Sequence, residues 1–369
     1  MKHLSLLIKP ASSLCNMRCR YCFYADVAEN REIPSYGVMP KETIERILSS
    51  VAADLSAGDE LTLAFQGGEP SLAGIDFFRH CFAFAASLMP GVHLHYAFQT
   101  NGLLLNEEWC SLLKEYDVLV GVSVDGNAEM HNSCRPDAAG KGTYNRVRNT
   151  VRLLDKSGVR YNILTVLTSS MARHPSAVWN WIKKEHFEFV QFIPCLAPLD
   201  ADQPSLYALS PERFRDFYLQ LFPLWKKSLE EGHYISIKLF DDLVNLYLAG
   251  QTTACGITGQ CSVQYIVEAN GDVFPCDFYV LDQFRMGSLL DSHPSELYSN
   301  GKPFLLYERE YCQEEPCTSC RYRDSCGGGC KRLKDSMYIH NGRCFYAELL
   351  DEILVQLLRS AKSYMSSVN

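Results

Sequence analysis

Cys15-Asn16-Met17-Arg18-Cys19-Arg20-Tyr21-Cys22 puts three thiols into a C-x3-C-x2-C run directly after the apolar residues 4–8. Cysteine thiolates hold iron–sulfur clusters, and three of them can take three irons of a 4Fe–4S cluster. The fourth iron is then left without a protein ligand, and an open iron is a place for chemistry. A structural zinc site normally closes its shell with four ligands, yet no further Cys or His follows Cys22 before His80. A second cysteine field begins late in the chain. Cys261 and Cys276 flank Gly271, and Cys317-x2-Cys320-x5-Cys326-x3-Cys330 is followed by Cys344. Seven cysteines need an eighth to close two four-thiolate sites; Cys255 is the choice and Cys312 its rival. The spacing of this field alone also suits zinc.

Other polar motifs each stand just behind an apolar run. Strands are expected at 4–8, 61–65, 92–98, 118–124, 160–167 and 188–193, with helical periodicity between them. One such helix spans 41–55, on Ile44, Ile47, Leu48, Val51 and Leu55; Asn106 and Thr143 have the position of N-caps. A further amphipathic helix covers 211–231. The cysteine triplet follows the first strand, Gln66-Gly67-Gly68-Glu69-Pro70 the second and Gln99-Thr100-Asn101-Gly102 the third. Ser123-Val124-Asp125-Gly126 closes the fourth, and Cys195-Leu196 follows the sixth. Repeated strand–helix units imply a parallel sheet with right-handed crossovers. A parallel barrel would collect all these motifs at its C-terminal face. Six units predict an α/β fold, a partial (β/α)6 parallel barrel over 1–233, with an open doubly wound sheet as the alternative. Paired glycines such as Gly67 and Gly68 let backbone approach a ligand closely.

Beyond about residue 234 the strand–helix rhythm stops. Residues 234–369 are expected to form a smaller Cys-rich domain with a β-hairpin and a C-terminal helix. The hairpin is placed at 265–274, because Asn270-Gly271 is a strong turn signal. Cys81 and Cys110 fall in helical patterns as small core residues, and Cys134 and Cys195 at strand ends.

A chain of 369 residues with 47% hydrophobic and 21% charged residues has the composition of a globular protein with a substantial core. Its net charge of −8 argues against a phosphate-neutralising nucleic-acid surface. No apolar run reaches membrane-spanning length, and residues 4–8 are too short for a signal-peptide core. Sixteen cysteines in such a chain read as metal ligands in a reducing cytoplasm rather than as disulfides. Thiolate clusters with an open iron point to an anaerobic or microaerobic setting.

The triplet, with an aromatic before its last cysteine, resembles the radical S-adenosylmethionine (SAM) enzymes, as does Gly67-Gly68-Glu69-Pro70. The order of the seven late cysteines resembles the SPASM extension of radical SAM maturases. Within that group the chain is similar to the anaerobic sulfatase-maturating enzymes. The likeness runs through residues 6–13, 65–70, 99–102 and 265–275, and most tellingly Pro275-Cys276-Asp277-Phe278-Tyr279-Val280-Leu281-Asp282. Leu14 departs from the pattern, which has a small residue before the first cysteine.

The resemblance implies three 4Fe–4S clusters and SAM. Cys15, Cys19 and Cys22 would hold the first cluster, Cys255, Cys261, Cys276 and Cys330 the second, and Cys317, Cys320, Cys326 and Cys344 the third. Gly68 and Glu69 would meet SAM's amino group, Ser123 and Arg135 its carboxylate, Tyr21 and Leu196 its adenosine side. Asp277 would be the base that takes the substrate's thiol or hydroxyl proton, and Tyr24, Gln66 and Gln99 would contact substrate. The implied substrate is a sulfatase Cys/Ser-x-Pro-x-Arg segment oxidised to formylglycine, with flavodoxin or ferredoxin as electron donor. A different SPASM peptide maturase shares the same cysteines. An iron–sulfur electron carrier would need neither the open-iron triplet nor the Gly67-Gly68-Glu69 loop.

Overall fold

Alternating apolar residues make the first three strands register partners, and this is visible in a computed structural model that describes residues 1–199, 205–252, 254–309 and 315–368. Along the chain come β1 (His3–Ile8), β2 (Glu60–Phe65), β3 (His93–Thr100), β4 (Leu119–Ser123), β5 (Tyr161–Leu167), β6 (Phe189–Pro194) and a short β7 (Ser236–Ile237). They match the six expected strands to within two residues at each end, with β7 an addition. Two compact units result. One holds residues 1–123, 135–161 and 262–307; the other holds the described residues of 124–134, 162–261 and 308–368. Among the described residues no helix is long and apolar enough to cross a membrane.

In the first unit β1 to β4 pair in parallel and in sequence order. Leu4, Leu61 and Leu94 fall in one row across the sheet, Leu6, Leu63 and Tyr96 in the next, Ile8, Phe65 and Phe98 in a third. Helix Ile75–Leu88 lays Phe78 over the third row, 5.1 Å from Phe65 and 5.0 Å from Phe98 between ring centroids. Trp109 of helix Glu107–Glu115 adds a ring 5.3 Å from Phe78. Phe65, Phe78 and Phe98 are fully buried, and each such side chain contributes about 1.5–3 kcal/mol. Asn106 caps its helix as expected, accepting from Trp109 N at 3.0 Å. Thr143 holds the cap position without capping, because its hydroxyl donates to the Arg135 carbonyl instead, at 2.7 Å. Helix Lys41–Ala52 ends short of Leu55. The Asp54 carboxylate there accepts from Ser295 N and Oγ.

The late hairpin belongs to this same unit. Its strands, β8 (Ile266–Val267) and β9 (Asp272–Phe274), pair antiparallel, and β10 (Gly287–Ser288) continues from β9. β8 also lies parallel against the free edge of β1, Leu7 opposite Ile266 and Ile8 opposite Val267. The turn is not the tight two-residue type that Asn-Gly suggests. Gly271 alone is left-handed, at φ +87°, and Glu268 N–H donates to the Asp272 carbonyl at 2.8 Å. Three residues therefore loop out, with glycine in the left-handed place, and Asn270 spends its side chain on Asp272.

The second unit pairs β5, β6 and β7 in parallel. Helix Pro211–Glu230, started by Ser210 capping Arg213 N at 3.3 Å, sets Phe217 5.0 Å from Phe192 of β6. The chain's last helix is Phe345–Val368.

Candidate active site

The loop after β1 carries the triplet, and three backbone segments hold it. Gly68 N–H donates to the Ser12 carbonyl at 2.9 Å and Glu69 N–H to the Leu14 carbonyl at 2.8 Å. On its other side Arg18 N–H donates to the Pro136 carbonyl at 2.9 Å and Ala138 N–H to Asn16 at 3.1 Å. Asn101, from the loop after β3, donates from Nδ2 to Asn16 Oδ1 at 2.7 Å and reaches Cys15 Sγ at 3.8 Å. Gly68 has a reason the sequence did not reveal: a Cβ there would lie 2.1 Å from the Leu14 carbonyl oxygen. The close approach is to the triplet's own chain.

Glu69 is equally turned inward. Oε1 accepts from Ser71 N at 3.1 Å, Ser71 Oγ at 2.6 Å and Thr100 Oγ1 at 2.8 Å, and Oε2 accepts from Asn101 N at 2.7 Å. Burial pushes its pKa up further than these donors pull it down. The carboxylate thus ties the Gly67-Gly68-Glu69 loop to the loop after β3. Arg135, buried, brings Nη1 to 3.8 Å from Cys19 Sγ and lies 5.5 Å from the Tyr21 ring centroid. Ser123 is half-buried at the end of β4. Leu196 falls in the second unit and is buried there. Burial raises the Cys15 thiol's pKa, opposed by the Met17 amide and Asn101.

Asp277 stands at the far end of the hairpin, next to Cys276. Its Oδ2 accepts from Tyr24 Oη at 2.7 Å and from Gln66 Nε2 at 2.9 Å. Part of the residue reaches solvent, but Oδ1 itself is buried and has no hydrogen-bond partner among the described residues. Burial lifts the pKa to about 6, with Lys9 and the Tyr24 hydroxyl pulling the other way and Glu268 adding to the rise. Phe278 meets Phe23 edge-on at 5.5 Å, which seats the Asp277 turn on helix Phe23–Glu29. The structure therefore joins Tyr24 and Gln66 on one carboxylate oxygen, while Gln99 is exposed on β3.

Sequence reasoning missed the charges behind this carboxylate. Lys9 Nζ lies 2.7 Å and Arg31 Nη1 2.8 Å from one oxygen of Glu268, Oε1. Burial raises the Glu268 pKa, but Lys9 and Arg31 outweigh it and hold the carboxyl below its ordinary value. A lysine closing a strand and a glutamate beside an Asn-Gly turn read as solvent-facing, so no local signal could have paired them.

In the second unit Cys317, Cys320, Cys326 and Cys344 line one cavity together with Tyr322, Tyr338 and Tyr346. Among the described residues no three His, Cys, Asp or Glu are arranged for a single metal ion; four cysteines on one cavity are the donor set that thiolate-held iron–sulfur clusters use. Cys344 directly precedes the last helix, and the amides of Tyr346 and Ala347 donate to it. Such helix-start amides favour a thiolate, although burial raises the thiol's pKa overall. Gly327, Gly328 and Gly329, all left-handed, turn the chain from Cys326 to Cys330. Cys330 N–H donates to the Gly256 carbonyl at 3.0 Å, which brings the Cys255 helix to the Cys330 turn. Cys261 is half-buried in this unit; Cys276 belongs to the first. Cys312 lies outside the described residues. Cys81, Cys110, Cys134 and Cys195 are all buried.

Comparison with known proteins gives this geometry a context. The radical SAM superfamily pattern matches residues 10–172. A protein of Clostridium novyi (strain NT) named cysteine-type anaerobic sulfatase-maturating enzyme is 40% identical, over 91% of this chain and 90% of that protein. A Bacteroides thetaiotaomicron protein named serine-type anaerobic sulfatase-maturating enzyme is 26% identical, over 91% of this chain and 84% of its own. The solved structure described as native anSMEcpe with bound AdoMet and Cp18Cys peptide superposes with a TM-score of 0.89 at 36% identity, over 98% of this chain and 99% of that one.

Proposed function

The chain belongs to the anaerobic sulfatase-maturating enzymes of the radical SAM superfamily, and from that membership we propose that it oxidises a cysteine of a sulfatase polypeptide to Cα-formylglycine. Cysteine is favoured over serine as substrate by the 40% identity to the cysteine-type relative against 26% to the serine-type one. A 4Fe–4S cluster with SAM, when bound, supplies the 5′-deoxyadenosyl radical that takes a hydrogen atom from the substrate's β-carbon. The remaining work falls to the chain. Cys15, Cys19 and Cys22 provide the three thiolates, with Asn101 and Arg135 turning N–H groups toward two of the sulfurs. Tyr21, Gly68, Glu69, Ser123, Arg135 and Leu196 frame SAM, Gly68 and Glu69 by fixing the loops around it.

Asp277 takes the thiol proton at Oδ1 while Tyr24 and Gln66 hold Oδ2. One observation carries this reading: a buried carboxylate oxygen with no partner among the described residues, on a carboxylate otherwise clamped. A base needs a free lone pair in reach of the proton it removes. Loss of a hydrogen atom, a proton and a second electron leaves a carbon–sulfur double bond. Water then replaces sulfur, which departs as hydrogen sulfide, and the aldehyde results. Cys276, beside Asp277, would be a ligand of an auxiliary cluster able to accept that electron. Cys255, Cys261 and Cys330 complete its ligands, and Cys317, Cys320, Cys326 and Cys344 hold the third cluster. In functional terms 1–233 form the radical-generating part and 234–369 the auxiliary-cluster part. Tyr24, Gln66 and Gln99 meet the Cys-x-Pro-x-Arg segment, flavodoxin or ferredoxin supplies the first electron, and the cytoplasm is the setting.

The test is mass spectrometry of paired peptides carrying Cys-x-Pro-x-Arg or Ser-x-Pro-x-Arg, after anaerobic incubation with reconstituted protein, SAM and a low-potential reductant. Aldehyde on the cysteine peptide, matched by 5′-deoxyadenosine, is expected. SAM cleavage with no aldehyde on either peptide would sink the reading.

A further inference from the structure

Three charged side chains are buried behind Asp277, and the reaction described so far uses none of them. Lys9, Arg31 and Glu268 have side chains 3%, 1% and 0% exposed. Lys9 and Arg31 share one Glu268 oxygen, and the other accepts from Ala269 N at 3.2 Å. Stability does not account for them. A buried ion cluster can usually be replaced by apolar side chains of the same volume with no loss, and often with a gain. Nor is the cluster needed to join hairpin to strand. Backbone pairing of Leu7 with Ile266 and Ile8 with Val267, and the bond from Lys9 N to the Val267 carbonyl at 2.8 Å, already do that.

What the cluster does reach is the clamp on the base. The Lys9 ammonium lies 5.4 Å from the Tyr24 ring centroid, and the Tyr24 hydroxyl donates to Asp277 Oδ2. Arg31 works on the other side, between the rings of Tyr36 and Phe274 at 5.4 and 5.3 Å, and Phe274 ends β9 just before Cys276. Both donors to Asp277 sit on the same oxygen. If the Tyr24 ring shifts, of these two bonds the one from Gln66 is left, and the carboxylate rotates more readily and can bury a different oxygen.

We propose that Lys9 is a positioning residue for the proton-removal step: anchored by Glu268, its ammonium seats the Tyr24 ring, and through the Tyr24 hydroxyl it keeps Asp277 Oδ1 in one place. Arg31 shares the anchor and fixes the end of the hairpin strand. This rests on the reading of Asp277 as the base, so Asp277→Asn serves as the reference variant.

The experiment compares wild type, Lys9→Met, Lys9→Arg, Asp277→Asn and the triple variant K9M/R31M/E268M, all reconstituted. Three quantities are read: 5′-deoxyadenosine released per aldehyde formed, affinity for the Cys-x-Pro-x-Arg peptide by calorimetry, and melting temperature. Lys9→Met should still cleave SAM and bind peptide, any loss of affinity through the Tyr24 contact staying well below the change in coupling, while 5′-deoxyadenosine per aldehyde rises at least roughly tenfold, as expected when a reacting group loses its geometry. Lys9→Arg should recover most of the coupling, since a guanidinium can pair Glu268 and lie over a ring. The triple variant should melt no lower than wild type and remain uncoupled; it answers the question if Lys9→Met does not fold. Normal coupling in Lys9→Met or the triple variant, beside an uncoupled Asp277→Asn, overturns the role of Lys9 alone. Normal coupling in Asp277→Asn overturns the base, and the positioning role with it. Parallel loss of peptide binding, SAM cleavage and melting temperature in Lys9→Met without rescue by arginine would make Lys9 a structural residue and overturn the proposal.

Discussion

A carboxylate can take a proton from a thiol of pKa ~8.5 only when the gap between the two is narrowed or the proton leaves together with an electron. Asp277 meets the first condition in part, because burial lifts its pKa to about 6. Asp277→Asn keeps the shape and the bonds on one oxygen but cannot accept the proton. Aldehyde formation should fall by roughly 100-fold, as for loss of a general base, while SAM cleavage continues and iron content is unchanged. Near-normal aldehyde yield, measured against 5′-deoxyadenosine, would remove Asp277 from the reaction. Asp277, Tyr24 and Gln66 could be named from the sequence because each stands inside or beside a recognisable motif, but the bonds of Tyr24 and Gln66 to Asp277 could not. Lys9, Arg31 and Glu268 were not, since Glu268 is separated from Lys9 by 259 residues and from Arg31 by 237. Glu69 was found through its motif, but nothing in that motif announced the bonds its oxygens accept from Ser71, Thr100 and Asn101.

At the scale of elements, the strand positions were legible because period-two alternation and register agree: the same apolar rows run through β1, β2 and β3. Loop conformations were less so. An Asn-Gly pair foretold the hairpin but not its three-residue loop, and nothing local announced that Gly68 faces a backbone carbonyl. Gly68→Ala must push the Leu14 carbonyl away from the 2.1 Å contact, and backbone displacement of this kind costs about 2 kcal/mol or more. The variant should melt lower and retain fewer triplet irons, whereas Gly37→Ala, strained by its left-handed φ of +75° but with no atom beyond its chain neighbours within 4 Å, should leave the triplet's iron intact. The ion cluster around Glu268 carries a pH signature. The Glu268 carboxyl is held below its ordinary value in the folded chain. The stability it contributes is therefore complete above the unfolded-state value of ~4.3 and is lost as pH falls through the folded one. Melting curves from pH 6 to pH 3 should fall more steeply for wild type than for Glu268→Gln. Parallel curves would show the carboxyl to be unperturbed.

Over the whole molecule, the cysteines divide between the two units. The triplet and Cys276 belong to the first; Cys255, Cys261, Cys330 and the four cavity-lining cysteines belong to the second. If all eleven are ligands as proposed, anaerobic reconstitution should give about twelve irons per chain. Replacing Cys15, Cys19 and Cys22 with Ala should remove about a third of that iron and abolish SAM cleavage. Stoichiometric zinc accompanying only one cluster's worth of iron would refute two auxiliary clusters. The order of the cysteines was open to sequence reading because it is written along the chain. The backbone that makes room for the ligands, such as the left-handed run Gly327-Gly328-Gly329, was not.

The strand that closes β1's outer edge arrives very late in the chain. Leu7 and Ile8 are made long before their partners on that side, Ile266 and Val267. At about 5–20 residues per second, a ribosome takes roughly 13–50 s to supply them. Throughout that interval β1 offers unpaired amides and carbonyls beside Leu4, Leu6 and Ile8, a template for strand addition by any neighbouring chain. Nascent chains must therefore be guarded or sparse. A fragment ending at Cys261 should be found in the insoluble fraction on expression, and a soluble monomer of that length would show that β1 needs no cover.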